Sequence, residues 1–120
     1  YDFVCDHLLI IDRVTRQTIG TYRLICSEFS ERFYSESEFD LSRLKTKPGI
    51  KLELGRLCID EAYRNGAVMQ LLWRGVTEYM RKTGANTLLG CSSVKSTDPD
   101  IVSQLIAEIT AKGWATDEYT

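Results

Sequence analysis

The chain has one histidine, two prolines, no C-x-x-C pair and no surplus of basic charge. Each absence excludes something. A single histidine, His7, leaves a zinc site without its usual ligand set. Lysine and arginine number 15 against 17 acids, mixed along the chain for a net charge of −2, so duplex nucleic acid is not an expected partner. No apolar stretch approaches the roughly eighteen residues that a membrane span needs. The four cysteines, Cys5, Cys26, Cys58 and Cys91, are widely spaced. They read as reduced thiols acting as small buried hydrophobes in a cytosolic protein rather than as a disulfide framework.

What is present is one domain's worth of alternating strand and helix signals in 120 residues, with 43% hydrophobic content. "HLLIID" and "TIGTYRLIC" read as a hairpin across the polar "RVTRQ". In the second run, the two-residue strand period puts Ile19, Thr21, Arg23 and Ile25 on one face. Arg23 then either reaches solvent past its apolar stem or meets an acid. "SEFSERFYSESEFDLSRLKTKPG" is long for a structureless connection and is expected to hold a short helix or a packed functional loop. Its aromatics, Phe29, Phe33, Tyr34 and Phe39, either cap the core or line an apolar pocket.

"LELGRLCIDEAYRNGAVMQLLWRG" opens as a strand buried on one face, with Ile50, Leu52 and Leu54 alternating with Lys51 and Glu53. Beyond Gly55 the apolar residues Leu57 and Ile59 have changed parity. A one-residue slip flips every later side chain, so an extra residue at Gly55–Arg56 is expected, forming a β-bulge. The competing reading is a strand buried on both faces past Gly55. A helix follows on the stripe Val68, Leu71, Leu72, Val76, Tyr79 and Met80, with Arg81 and Lys82 in its last turn and Gly84 ending it. "TLLGC" reads as a buried strand. "TDPDIVSQLIAEITAKG" reads as a second helix, capped by Asp98, with Pro99 in its first turn and Gly113 after its end. The order makes an α/β fold: a mixed sheet with a bulged central strand and a strand–helix–strand crossover.

The chemistry concentrates in two places. "ELGR" sets Glu53 and Arg56 at the break in the strand. "YRNGA", with Arg64, Asn65, Gly66 and Ala67, sits at a helix N-terminus, where free N–H groups and the positive dipole end favour a phosphate. Glu53 has a plainer reading as a strand residue paired with Lys51 or Arg56. His7, Tyr63 and Trp73 have plainer readings as packing residues. Ser92 and Ser93 lack the histidine–acid partners of a serine hydrolase.

The segments "CDHLLIIDRVTRQTIGTYRLI", "FYSESEFDLS", "ELGRLCIDEAYRNGAVMQLLWRG" and "LLGCSSV" resemble the ornithine-lipid type N-acyltransferases. These are also described as hemolysin-like or N-acyl amino acid synthases. They are similar in turn to acyl-homoserine-lactone synthases and to the GNAT superfamily. The resemblance runs from Cys5 to Val94. It implies a V-shaped mixed sheet and transfer of a fatty acyl group to an amino-acid amine. The donor would be the acyl-phosphopantetheine of acyl carrier protein, or acyl-coenzyme A, with no permanently bound cofactor.

Carried over by matching motif, Glu53 is the general base, and Arg56 holds a carboxylate or orients Glu53. Arg23, Asp6 and His7 match further site positions, and Arg64 to Ala67 match the phosphate loop. Val68 stands where the superfamily prefers a small residue, which would disfavour a coenzyme A pyrophosphate and favour the carrier protein. The resemblance also implies helices before the first strand and strands after the second helix, so residues 1–120 are expected to be part of one such domain. A cytoplasmic location is expected, with peripheral contact at the inner membrane left open. The alternatives are an acyl-homoserine-lactone synthase and a non-catalytic acyl- or carrier-protein-binding domain of the same fold.

Overall fold

A computed structural model describes residues 4–92 and 96–116; Ser93 lies outside the described residues. Strands β1 (Asp6–Ile11), β2 (Thr18–Cys26), β3 (Ile50–Ile59) and β4 (Ala85–Leu89) form one sheet in that order. β1–β2 and β2–β3 pair antiparallel, and β3–β4 pair parallel. Helix α2 (Ala67–Thr83) makes the β3-to-β4 connection. The segment between β2 and β3 carries a 3-10 turn (Tyr34–Ser37) and helix α1 (Ser42–Thr46), and α3 (Pro99–Ala111) comes last. Among the described residues, no helix is long and apolar enough to cross a membrane.

Helix α2 starts after Gly66 at φ 95 and stops at Gly84 at φ 78, both left-handed positions that favour glycine. Its Val68, Leu72 and Val76 are buried against Leu24, Cys26, Leu52 and Ile19 of the sheet. Helix α3 begins as its sequence predicts, with the Asp98 side chain accepting from Asp100 N–H at 2.9 Å, but it buries no residue.

Two irregularities in the sheet set the rest. On β2, Gly20 pairs Ile10 and Thr18 pairs Ile11, so Ile19 is an extra residue. Ile19 therefore leaves the face of Arg23 and Ile25, where strand alternation alone places it, and packs with Val68 and Leu72. On β3, Gly55 pairs Arg23 and Cys58 pairs Thr21, so Arg56 and Leu57 together oppose Tyr22. The bulge exists one residue later than the sequence pattern suggests, with Arg56 at φ 50. It restores Ile59 to the α2 side, as the change of parity requires. Residues 56–58 are exposed, which removes the reading of a strand buried on both faces there.

Burial on both faces occurs instead before the bulge. Lys51 and Glu53 are as buried as Leu52, because the segment between β2 and β3 covers the sheet face that α2 leaves open. The Lys51 ammonium is held by the carbonyls of Lys47 and Gly49. The four thiols are all free, but only Cys26 is buried. Cys58 and Cys91 are exposed, contrary to their apolar sequence context.

Candidate active site

Parallel pairing of β3 with β4 ends at Glu53–Leu89, and residues 54–59 of β3 have no partner on β4. The two strands part there, and three cavities meet at Cys91, just past the end of β4. The smallest, about 160 Å³, is lined by Arg23, Tyr34, Ser35, Glu53, Leu54, Gly55, Arg56 and Cys91. Strand alternation brings Arg23 and Glu53 to the same sheet face, since Ile25 pairs Glu53 across the ladder. Arg23, Glu53 and Arg56, singled out from the sequence, thus share one cavity.

Glu53 is 2% exposed. One oxygen accepts from Tyr34 N–H at 2.8 Å, and the other accepts from Ser35 N–H at 2.9 Å and from the Ser35 hydroxyl. A carboxylate has room for about four donors, so one acceptor position is left. The plainer reading of Glu53 as an exposed residue paired with Lys51 or Arg56 does not hold. Arg23 is buried rather than reaching solvent, and its guanidinium carbon lies 4.8 Å from the centre of the Tyr34 ring, within cation–π range. It also crosses Gly55 so closely that a Cβ there would stand 2.8 Å from Nη2. Gly55 therefore provides space, while the left-handed backbone belongs to Arg56.

Ser35 was not singled out from the sequence. It is 4% exposed and joins the Glu53 carboxylate to the Cys91 sulfur, which lies 2.9 Å from Ser35 Oγ. The available signal was indirect: an acid inside a buried strand needs donors, and "YSES" is the nearest serine-rich turn.

Asp6 and His7 do not line this cavity. Asp6 accepts from the Tyr79 hydroxyl at 2.6 Å and so ties β1 to α2. Burial first, and that hydrogen bond second, push the Tyr79 proton affinity well up. His7 pairs Arg23 across the β1–β2 ladder, is exposed, and lies 3.7 Å from the Cys5 sulfur.

The "YRNGA" turn lies at the start of α2, as predicted. Arg64 Nε donates to Ile59 O at 2.9 Å, and Asn65 Oδ1 accepts from Ala67 N–H at 3.2 Å. A Cβ on Gly66 would meet nothing within 4 Å, so the turn is open to a ligand. Val68 is 4% exposed and faces inward, where a Cβ on Gly20 would stand 2.6 Å from its Cγ1. Its bulk is thus taken up in packing against β2. Trp73, edge-on to Tyr22 at 6.5 Å, lines a cavity of about 310 Å³ between the parted strands, while Tyr63 donates to Asp12 at 2.7 Å. No group of metal ligands is present among the described residues.

A sheet that parts beside a bulged strand, with an open turn at the head of the crossover helix, defines a class. Residues 1–74 match the acetyltransferase (GNAT) domain model, and the chain belongs to that family. The fold agrees. A probable acetyltransferase of known structure superposes with a TM-score of 0.55 at 17% identity, over 88% of this chain and 60% of that one. A Trypanosoma brucei acetyltransferase gives 0.53 at 16% identity, over 85% and 61%.

Within the family, the chain is similar to proteins named L-ornithine N(alpha)-acyltransferase. Identity is 38% to that of Brucella abortus (strain 2308), over 82% of this chain and 39% of the relative. It is 38% to that of Rhizobium meliloti (strain 1021), over 83% and 37%, and 32% to that of Rhodobacter capsulatus, over 89% and 44%. The chain spans about two fifths of the length of these relatives.

Proposed function

We propose that this is an N-acyltransferase domain, moving a fatty acyl group from an acyl-phosphopantetheine thioester to the amine of an amino acid such as ornithine. The observation that carries the reading is the buried Glu53 in one cavity with Arg23 and Arg56, where the pairing of β3 with β4 ends. The relatives' shared name supports the choice of acceptor. Arg23 and Arg56 supply positive charge for the amino acid's carboxylate, with Arg56 offering a planar fork.

The amine nitrogen bonds to the thioester carbonyl carbon, and the carbon–sulfur bond breaks. Glu53 takes the amine's proton through the Ser35 hydroxyl or a water, and the proton passes on to the departing thiolate. Backbone N–H groups on the unpaired stretch of β3 polarise the carbonyl, and holding both reactants in the cleft supplies much of the rate. The turn from Arg64 to Ala67 holds a phosphate of the donor arm. Acyl carrier protein and acyl-coenzyme A both present that arm. Asp6 and His7 support the site from β1 without touching substrate.

Intact-mass detection of acylated products, with a panel of amino acids and both donors, tests the activity. Transfer to none of them, with donor binding retained, would leave a binding domain of the same fold. Glu53→Gln should lower turnover about a hundredfold or more. Its amide nitrogen cannot accept from the backbone donors, so the variant should also lose about 1–3 kcal/mol of stability. Unchanged turnover in that variant would reduce Glu53 to a clamp on the 34–37 turn.

A further inference from the structure

Resting on the acyl-transfer reading, we propose that the segment between β2 and β3 forms the acyl-chain pocket and sets the length of chain transferred. Its cavity, about 650 Å³, lies within the range of small-molecule sites. The walls are Phe39, Leu41 and Leu44 from that segment and Leu89 from β4; the polar end is Ser35 and Cys91. Ser35 and Cys91 also line the cavity of Glu53, so the apolar chamber opens onto the reacting groups. That is the shape an acyl thioester requires, with a carbonyl at the junction and a hydrocarbon tail leading away.

The lining argues against other occupants. It contains no lysine or arginine, so neither a pyrophosphate nor an amino-acid carboxylate finds a counter-charge there. Its one acid, Asp40, is occupied just before α1, where it accepts from Ser42 N–H at 2.9 Å and from the Ser42 hydroxyl. Phe39 is 57% exposed, leaving apolar surface for a ligand to cover.

The walls are also braced. Lys45 of α1 reaches Glu36 at 3.0 Å and the Glu31 carbonyl at 2.8 Å, and Glu36 in turn accepts from Phe33 N–H at 3.0 Å. The same turn is tied to Glu53 through Tyr34 and Ser35. The depth of the pocket is therefore measured from the reacting carbonyl, which makes it a ruler.

The test is a chain-length series of acyl-coenzyme A donors. In the unsubstituted protein kcat/KM should rise about fourfold per methylene until the chamber is full, then level off. Leu44→Trp, which fills the chamber, should lower the ratio of long-chain to short-chain kcat/KM at least tenfold and bring the plateau to shorter chains. Leu44→Ala should move the plateau to longer chains, and serves if the tryptophan variant does not fold. An unchanged plateau in a folded variant of either kind overturns the proposal.

Binding of the fluorescent fatty acid cis-parinaric acid separates this proposal from the reaction. If no donor is turned over but parinarate binds, and Leu44→Trp weakens it tenfold or more, the pocket stands and the acyl-transfer reading falls. If parinarate does not bind, the pocket falls.

Discussion

Arg56 carries its side chain at φ 50, where a residue with a Cβ costs about 1–2 kcal/mol relative to the right-handed region. Strain of this kind persists where the surrounding structure over-determines it, often at functional sites. The bulge needs a left-handed residue, and that residue lines the cavity of Glu53. Arg56→Gly should therefore raise stability by about 0.5–1 kcal/mol, the strain relief being partly offset by the freedom glycine gains when unfolded. The same change should lower acyl transfer a hundredfold or more. Arg56→Lys should leave stability near that of the parent and still lower transfer, since the bidentate fork is lost. Arg16, at φ 60 in the β1–β2 connection, lies outside the cavity, so Arg16→Gly should stabilise without affecting transfer. Denaturant midpoints and single-turnover rates on the three variants check this. A fully active Arg56→Gly protein would show that the strained arginine has no part in the chemistry.

At the scale of elements, β3 and the segment that covers it depend on each other. Gly55→Ala would press a methyl group against the Arg23 guanidinium, which is buried and stacked on the Tyr34 ring and so has little room to swing aside. Overpacking of this kind costs about 1–3 kcal/mol. A denaturant midpoint shifted by that amount, with transfer falling alongside it, is expected, whereas an unshifted midpoint would mean Arg23 is free to move. The covering segment has its own pH dependence. Burial works against the charge on Glu36, but the Phe33 N–H and Lys45 outweigh it and hold its pKa below the ordinary value of 4.5. A depressed pKa means the brace stabilises the fold fully above the unfolded value and is lost as pH falls through the folded one. The stability difference between the parent and Glu36→Gln should therefore be constant at neutral pH and vanish as the medium is acidified below about pH 4. A difference that persisted into strong acid would locate the brace elsewhere.

At the scale of the molecule, charge and shape decide how a donor arrives. Val68 is packed into the core, so its bulk is no argument against a pyrophosphate at the head of α2. A net charge of −2 gives no general attraction for an acidic carrier protein, so any preference for one rests on local cations. Arg74 is exposed on α2 and Arg64 is exposed beside its N-terminus, whereas Arg81 is already paired with Glu78 at 2.8 Å. An acyl carrier protein donor should thus outperform a matched coenzyme A donor at low ionic strength. It should lose that advantage as salt shortens the screening length to about 8 Å and below. Arg74→Glu should abolish the advantage at every salt concentration. Equal rates throughout would assign the donor site to the phosphate arm alone.

The local features of this chain follow from its sequence, because their causes lie within a few residues. The ends of α2 and α3 follow from Gly84, Asp98 and Pro99. The slip in β3 follows from the parity of Leu54 against Ile59, and the open turn from Asn65 and Gly66. Each depends on backbone geometry or on a period of 2 or 3.6 residues. Tertiary structure decided what required a distant partner. The bulge falls on Arg56 and Leu57 because Gly55 is occupied by a guanidinium from β2. Glu53 and Lys51 are buried because a separate segment folds over the face that strand alternation marks as polar. Ser35 enters the site through contacts with Glu53, 18 residues along the chain, and with Cys91, 56 along. The helical stripe turns Val68 inward, but that it packs on the bare backbone of Gly20 is set by β2. Periodicity reports which residues share a face, but the charge, cover and donors met on that face come from other elements.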